Sequence, residues 1–251
     1  MTLRQKIGRV IHAHLPVSRR TFDIMRSEGR FLQQRFLNAV LPWRRLKIAR
    51  LRRMRGISLN VGSGGRGRAD WINMDASPHH ADLYCCQDLR QPLPLANNSV
   101  KRILAEHVIE HLDFRHEVPL TLAEFYRVLE PGGTVRIIVP DCERLLHAYV
   151  SKDDANWRAF GFQSAQRHYD LLTPIEMVNH VFHQYGEHFF GWDFQALEHV
   201  LRDAGFGQVV KQSFGRSLDP ELAIDQPNHA LYSLYVDAVK TTGDAPAHLN
   251  R

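Results

Sequence analysis

The sequence predicts an α/β fold built on a mainly parallel sheet, and three observations support this prediction. From residue 57 onward, short apolar segments typical of strands alternate with stretches that have helical periodicity. The first apolar segment, 57–61, runs directly into a glycine cluster at 62–65. The segment 134–139 is a β-branched run that suits a central strand. An apolar content of 44% in 251 residues is sufficient for a sizeable core.

The individual elements follow from this alternation. Strands are predicted at 57–61, 71–75, 82–86, 101–105, 133–139, 208–214 and 230–239, and helices at 115–129, 142–150, 155–168 and 194–203. Pro131 and the two glycines after it should stop the first helix, and Asp193 should cap the last one. The last two strands are close in sequence, which allows an antiparallel pair at one edge of the sheet. The tail 241–251 is small and polar, so we expect it to be disordered.

Residues 1–56 differ from the rest of the chain in charge. They contain 15 of the 32 Lys and Arg residues but two of the 27 Asp and Glu residues, a net charge of about +13 against −8 for 57–251. Apolar residues at helical spacing between Phe22 and Val40 predict helices here, with a break at Pro42. One interpretation is a helical cap with solvated arginines; another is contact with an anionic membrane surface or an anionic substrate. Nucleic acid is less favoured, because the segment resembles no known nucleic-acid-binding module.

The domain organisation predicted from these patterns is a basic helical extension (1–56), a cofactor-binding domain (57–240) and the tail. The sequence has no uncharged apolar run of about 18 residues and no compact apolar leader, so we expect a cytoplasmic protein, with peripheral membrane contact through residues 1–56 as one alternative. Cys85, Cys86 and Cys142 are odd in number and have no ligand-like spacing. They predict buried thiols in a reducing compartment and no disulfide framework. The oligomeric state stays open.

The glycine cluster predicts a site for a cofactor that carries a nucleoside. Gly62, Gly64 and Gly67 spell G-x-G-x-x-G, which is typical of dinucleotide binding when a helix starts within the glycines and an acid follows about 20 residues later. Here there is no room for a full helix before Trp71, and Asp75 follows Gly64 by only eleven residues. A carboxylate at the end of the second strand still suits the two hydroxyls of a ribose. An NAD(P)-dependent oxidoreductase is therefore kept as a disfavoured alternative.

A second motif concerns metal binding. The segment from His107 to His111 matches the H-x-x-E-H pattern of certain zinc proteases. That pattern requires a long helix with both histidines on one face and a third ligand further along the chain. The segment instead follows a predicted strand directly. Zinc catalysis is disfavoured on this ground, and no metal site is predicted.

Five motifs occur in order between residues 57 and 141. They are LNVGSGG from Leu59, NMD ending at Asp75, QDL at 87–89, ILAEHVIEHL at 103–112 and RVLEPGGTVRIIVPD at 127–141. Together they resemble the class I S-adenosylmethionine-dependent methyltransferases, and most closely the small bacterial methyltransferases of the type-11 kind. The resemblance extends more loosely to about residue 240. It implies a Rossmann-like sheet of about seven strands with an antiparallel edge pair, and S-adenosylmethionine as the cofactor.

The resemblance also implies which residues bind the cofactor. They are Gly62, Ser63, Gly64, Asp75, Ala76, Asp88, Leu89, Glu106 and His107. The glycine loop would pass under the methionine part, Asp75 would bind both ribose hydroxyls, and Asp88 would bind the adenine amino group. Glu106 and His107 would line the pocket near the reacting methyl group. The sequence departs from the family in lacking a full helix after the glycine loop, and Arg66 or Arg68 are candidates for the missing positive charge.

The acceptor is the least determined part. If the nucleophile is an oxygen, a histidine is the natural base, because its pKa lies near working pH. The candidate catalytic residues are His107 and His183, the latter within the histidine-rich and aromatic stretch NHVFHQYGEHFFGWD at 179–193. Aromatic faces beside polar donors suit a sugar or a planar small molecule. The sequence thus predicts methyl transfer to a small-molecule or glycan-type acceptor, on oxygen; a non-catalytic module in a glycan-assembly complex is a further alternative.

Overall fold

A computed structural model describes residues 18–77 and 82–241. The first seventeen residues of the predicted basic extension, and the predicted disordered tail from residue 242 onward, lie outside the described residues. The chain divides into two compact units, of which the first ends at Arg45 and the second begins at Leu46. Within the described part of the first unit, helix α1 (Arg19–Val40) begins after Ser18, whose hydroxyl accepts a hydrogen bond from the Thr21 N–H at 3.1 Å.

The second helix, α2 (Pro42–Leu51), begins at a proline, which suits the first helical position because its missing N–H would have no partner there. The break predicted at Pro42 is therefore confirmed. No helix in the described part of the chain is both long enough and apolar enough to cross a membrane.

Seven strands form one sheet in the order β3-β2-β1-β4-β5-β7-β6. The strands are β1 (Ile57–Val61), β2 (Ile72–Asp75), β3 (Cys85–Cys86), β4 (Val100–Glu106), β5 (Leu129–Pro140), β6 (Gln208–Gln212) and β7 (Ser233–Val239). Strands β1 to β5 pair in parallel, and β7 runs antiparallel to both β5 and β6. The predicted α/β class and the antiparallel edge pair are confirmed. The carboxyl ends of β1, β2, β4 and β5 meet at one edge, where open α/β sheets bind ligands.

The helices of the second unit are α3 (Glu117–Val128), α4 (Cys142–Ser151), α5 (Asp154–Ala159), α6 (Phe162–His168), α7 (Pro174–His183) and α8 (Phe194–Asp203). Asp193 caps α8 as predicted, because its side chain accepts from the Ala196 N–H. The prediction of a single helix at 155–168 is wrong, because two helices, α5 and α6, occupy this segment. The chain is interrupted at Gly161, which adopts φ +72 and so leaves the right-handed helical region.

The structure differs from the sequence predictions at three further places. Helix α7 is not among the predicted helices, although Thr173 and Glu176 form a capping box and Pro174 occupies the first turn. Helix α3 stops at Val128, before the proline and glycines expected to end it, because strand β5 already starts at the next residue. The strand predicted at 82–86 is limited to Cys85–Cys86.

The core lies on both faces of the sheet and includes one buried cluster of charges. Arg136 on β5 is fully buried and contacts Asp237 on β7 and Asp225 in the loop before it, each at 2.7 Å. The two carboxylates compensate the buried guanidinium charge. Asp225 also accepts the Gly215 N–H at 2.7 Å. The cluster therefore fixes the long loop between β6 and β7 against the sheet, and this loop reaches the candidate site described next.

Candidate active site

The loop after β1 turns sharply and approaches its surroundings closely. Gly62 has φ +60 and Gly64 has φ +52, a region that side chains other than glycine rarely adopt. A Cβ atom at Gly62 would lie 2.3 Å from Val108 Cγ2, whereas a Cβ at Gly64 would meet no atom within 4 Å. The loop thus packs tightly at Gly62 and borders open space at Gly64. No helix forms between β1 and β2, as the short spacing predicts.

Asp75, the last residue of β2, connects the second strand to the glycine loop. Its Oδ2 accepts the Gly64 N–H at 2.8 Å, and its Oδ1 accepts the Ser77 N–H at 2.7 Å. Each carboxylate oxygen can accept a second hydrogen bond. Ala76, next in the chain, is half-buried. The arrangement holds a carboxylate with spare acceptor capacity beside the open space at Gly64.

A further polar atom in this loop is buried. The Ser63 hydroxyl makes no hydrogen bond to the residues that the structure describes, although its backbone N–H donates to the Met74 carbonyl at 3.1 Å. A buried hydroxyl ordinarily has a partner, because an unmet hydrogen bond is costly. A bound polar ligand at the loop is one way to supply it. These features fit a cofactor that brings hydroxyls and an amino-acid part to this end of the sheet.

Asp88 is already engaged within the protein. Its two oxygens accept from the Arg90 backbone N–H at 3.0 Å and from the Arg90 guanidinium at 3.0–3.2 Å. Two donors on each oxygen use the usual acceptor capacity of a carboxylate. An adenine amino group at Asp88 would have to share or displace one of these contacts. Leu89 is half-buried against the core, and its carbonyl accepts the Thr121 hydroxyl at 3.1 Å.

Glu106, at the end of β4, forms a buried pair with a residue that the sequence did not indicate. Its Oε1 lies 2.8 Å from His229 Nδ1, although 123 residues separate the two in sequence. Burial alone would raise the pKa of Glu106, but the hydrogen bond and charge of His229 and the charge of Arg66 hold that pKa below its usual value. No local signal links the short turn 227–229 to the end of β4, so pattern reasoning could not find this pair.

His107 is held from both sides. It adopts φ +53, its Nδ1 lies 3.1 Å from Glu110 Oε1, and its Nε2 lies 3.1 Å from the Ser233 hydroxyl. Burial would raise the pKa of Glu110, but the hydrogen bond and charge of His107 hold it below its usual value. Because an ionised carboxylate can only accept, His107 Nδ1 donates to Glu110, and the other ring nitrogen, Nε2, faces the Ser233 hydroxyl. The ring centroid lies 4.3 Å from that of His229.

A cavity of about 790 Å³ opens beside these two histidines. Its wall carries two arginines, Arg66 and Arg158, and one acidic residue, Asp141. It also carries five histidines, namely His107, His168, His180, His188 and His229. Burial lowers the pKa of His180 and of His188, which favours neutral rings there. Among the charged and titratable groups of the cavity wall, those that carry or can gain positive charge are thus in excess.

The structure separates the two candidate bases. His107 lies on the cavity wall at the end of β4, within reach of Glu110 and Ser233. His183 is exposed on the last turn of α7, and it is not among the residues that line the cavity, whereas His180 and His188 on either side of it are. A role of His183 in the reaction stays a prediction.

Part of the chain matches a known protein family. Residues 66–137 match a protein family described as "Methyltransferase domain". A search of curated proteins finds no significant match. Similar solved structures include a Haloferax volcanii methyltransferase in complex with its activator, at 16% identity and a TM-score of 0.44, covering 86% of this chain and 94% of that one.

Two further solved structures are similar in the same way. A Thermotoga maritima S-adenosylmethionine-dependent methyltransferase has 19% identity and a TM-score of 0.45, with 87% of this chain and 96% of that one covered. A Burkholderia thailandensis 1,6-didemethyltoxoflavin-N1-methyltransferase has 14% identity and a TM-score of 0.45, with 91% and 92% covered.

The domain match and the sheet order agree with each other. The segment 66–137 matches a methyltransferase domain, and the seven-stranded sheet has the Rossmann-like order that the sequence predicts. The oxidoreductase and non-catalytic alternatives are not favoured, because the family match is to methyltransferases and no helix begins within the glycine loop.

Proposed function

We propose that the protein is an S-adenosylmethionine-dependent methyltransferase that transfers the methyl group to an oxygen atom of a small-molecule or glycan-type acceptor bound in the 790 Å³ cavity. The observation that supports this most directly is His107. It lies on the cavity wall with Nδ1 at Glu110 and with Nε2 at a hydroxyl group, that of Ser233. An acceptor hydroxyl that replaces Ser233 would meet the same nitrogen.

The proposed cofactor site is the glycine loop with Asp75. The open space at Gly64 admits the methionine part, the buried Ser63 hydroxyl has no partner among the described residues, and the spare lone pairs of Asp75 match two ribose hydroxyls. Ala76, Asp88 and Leu89 complete this site on the adenine side, and Glu106 with His107 lies toward the methyl group. When bound, the cofactor supplies an activated methyl group on a sulfonium.

The chemistry assigned to the protein is alignment and proton removal. The cavity wall would position the acceptor oxygen for attack on the methyl carbon, which removes much of the entropic cost of bringing two molecules together. His107 Nε2 would take the proton from the hydroxyl as the carbon–oxygen bond forms, while the carbon–sulfur bond of the cofactor would break and S-adenosylhomocysteine would leave. Glu110 then stabilises the imidazolium through the 3.1 Å contact with Nδ1. The His229 ring, which contacts Glu106, packs against the His107 ring at a centroid distance of 4.3 Å and helps to keep it in position.

The charges of the cavity favour an acceptor with an acidic group. Arg66 and Arg158 line the wall, and Asp141 is already occupied, since its Oδ1 accepts the Arg144 N–H at 3.0 Å. A carboxylate or phosphate on the acceptor would complement the two guanidinium groups. Uronic acids and hydroxylated aromatic acids are therefore the first acceptors to test.

The test is a turnover assay that detects S-adenosylhomocysteine with panels of hydroxylated acids and their neutral counterparts, followed by mass spectrometry to locate the methyl group. We expect methylation on oxygen, and His107→Ala should reduce kcat by about 10²–10⁴-fold while S-adenosylhomocysteine still binds. His147→Ala is the matched control, because His147 is exposed on α4 and outside the cavity wall. Methylation on nitrogen or carbon, or full activity of His107→Ala, would contradict the proposal.

We also propose that the basic extension, residues 1–56, contacts anionic membrane surfaces. Residues 18–56 carry 12 Lys and Arg residues, and Leu32, Phe36 and Trp43 expose 62%, 65% and 62% of their surface. Apolar side chains on a basic helix are typical of interfacial binding. Full-length protein should co-sediment with phosphatidylserine vesicles at low salt and less at high salt. Phe36→Ser with Trp43→Ser should abolish this; unchanged sedimentation would contradict the proposal.

A further inference from the structure

Beside the proposed base lies a cluster of three side chains with metal-ligand chemistry. Glu110 and His111 belong to the short 3-10 turn after β4, and His188 comes from the loop between α7 and α8. One donor atom from each side chain lies within 4.8 Å of the other two. Two ligands of one ion, each bound at about 2.0–2.2 Å, are at most about 4.4 Å apart. The three donors are therefore within a small side-chain adjustment of a common coordination sphere.

Both histidines are oriented as metal-bound histidines are. His111 Nδ1 lies 3.0 Å from the Glu187 carbonyl oxygen, and His188 Nδ1 lies 2.6 Å from the Val181 carbonyl oxygen. A carbonyl can only accept, so the proton of each ring is on Nδ1 and the lone pair is on Nε2. Metal-bound histidines usually donate their other ring nitrogen to a carbonyl or carboxylate in this way, which fixes the ring and its tautomer.

Glu110 supplies a buried oxygen that has spare acceptor capacity. The side chain is 1% exposed, and Oε1 lies 3.1 Å from His107 Nδ1, but Oε2 accepts no hydrogen bond from the part of the chain that the structure describes. His111 and His188 lie close to the Glu110 carboxylate but donate no hydrogen bond to Oε2. A buried carboxylate oxygen without a partner is rare in folded proteins and calls for a ligand or ion.

We propose that Glu110, His111 and His188 bind a divalent first-row transition-metal ion. Two imidazoles and one carboxylate suit Zn²⁺, Mn²⁺ or Fe²⁺, whereas Ca²⁺ and Mg²⁺ prefer oxygen ligands alone. The second contact of each ligand is already in place, from Glu187, Val181 and His107. This revises the expectation, drawn from the sequence alone, that the chain holds no metal.

The position of the cluster gives the ion a place beside the acceptor cavity. His188 belongs both to the ligand set and to the cavity wall. The backbone contact from the Phe189 N–H to the Glu110 carbonyl, at 2.8 Å, already joins the same loop to the turn. Three protein ligands leave at least one coordination position open. The ion would thus connect the loop that carries His188 to the turn after β4. It would also leave a coordination position for an oxygen atom of a bound ligand.

The experiment uses untagged full-length protein, stripped with a chelator and dialysed, because tags and surface histidines also bind metals. Titration calorimetry with Zn²⁺ and with Mn²⁺ should show one site per chain for at least one of them, and Co²⁺ should give a visible absorption band with the same stoichiometry. His111→Ala and His188→Ala should each weaken binding at least 10-fold. His147→Ala, which changes an exposed histidine on α4, should bind as the parent protein does.

Folding of the variants is checked by circular dichroism. The buried Glu110 is tested with Glu110→Gln. If Glu110→Gln does not fold, His111→Ala at a half-buried position decides the question. The absence of a stoichiometric site in the parent protein, or equal affinity in folded His111→Ala and His188→Ala, would overturn the proposal. S-adenosylhomocysteine binding is measured in the same samples, so a failure of the metal site is distinguishable from a failure of the methyltransferase assignment.

Discussion

The two halves of the site are assembled in different ways. On the cofactor side, Gly64, Asp75 and Asp88 lie within 25 residues and come from the ends of neighbouring strands. On the acceptor side, Glu106 meets His229 and His107 meets Ser233 across more than 120 residues. The cofactor side can therefore be read from a short stretch of sequence. The acceptor side exists only once β7 has been placed against β5.

The largest expected effect concerns the ion cluster that holds the acceptor side together. Arg136→Met leaves the buried carboxylates of Asp225 and Asp237 without their cation, so we expect a loss of about 3–5 kcal/mol in the free energy of unfolding. Urea unfolding measures it. Arg202→Met, which breaks the exposed pair with Glu198, should cost about 0–1 kcal/mol. Equal losses in the two variants would show that the long-range cluster does not anchor the loop.

The second prediction addresses the cofactor side. Asp75→Ala removes the acceptor for the Gly64 N–H and, in the proposed site, for two ribose hydroxyls. Hydrogen bonds to a charged group contribute about 1.5–3 kcal/mol each, so affinity for S-adenosylhomocysteine should fall by about 100-fold or more. Titration calorimetry measures this. Asp70→Asn is the control, because Asp70 is exposed and its φ of +62 is one that asparagine tolerates. Unchanged affinity in Asp75→Ala would refute the assignment of the ribose site.

The fold also contains elements that the sequence predicts and elements that it does not. The strand predicted at 57–61 matches β1, and those predicted at 208–214 and 230–239 match β6 and β7 apart from their ends. The cap at Asp193 and the helix break at Pro42 are also confirmed, since they depend on neighbouring residues. The incorrect predictions arose where one local signal overrode another. Gly161 divides one expected helix, and the Thr173–Glu176 capping box starts a helix that the apolar pattern did not predict. Strand β5 begins before the Pro-Gly-Gly turn, because pairing with β4 and β7 overrides the local stop signal.

The candidate site likewise contains residues that the sequence predicts to lie together and residues that only the fold brings together. The glycine loop and Asp75 lie together as the motif spacing predicts, since both follow from strand order. The Glu106–His229 pair could not be predicted, because nothing near residue 229 indicates a partner on β4. The cluster of Glu110, His111 and His188 is an intermediate case. Its first two members belong to the H-x-x-E-H motif, which the sequence analysis disfavours as a metal site, and the third residue joins them only when the loop before α8 is placed.

A third, smaller effect separates charge from shape on the acceptor side. Glu106→Gln keeps the shape but removes the charge that meets His229 at 2.8 Å, so the free energy of unfolding near pH 7 should fall by about 1.5–3 kcal/mol. The pKa of Glu106 is lowered in the folded protein, so its contribution is present above the unfolded value of about 4.5 and lost as pH falls through the lower folded value.

The measurement is urea unfolding of the parent protein and Glu106→Gln at several pH values. The difference between the two should be largest near neutral pH and shrink at pH below about 4.5. Glu143→Gln, at an exposed position on α4, should show a small difference at every pH. A difference for Glu106→Gln that grows as pH falls would contradict the charged pair.

The smallest expected effect tests whether the glycine loop is a binding surface or only a turn. Gly64 and Gly215 both have positive φ and open space at the Cβ position, and each donates its N–H to an aspartate Oδ2, at 2.8 and 2.7 Å. Changing either to alanine should cost about 1–2 kcal/mol in unfolding free energy, through strain in the left-handed region. Because only Gly64 faces the proposed cofactor, only Gly64→Ala should also weaken S-adenosylhomocysteine binding in calorimetry. If both variants bind it equally well, the open space at Gly64 is not where the cofactor lies, and the cofactor side would lose the contact that its sequence motif predicts.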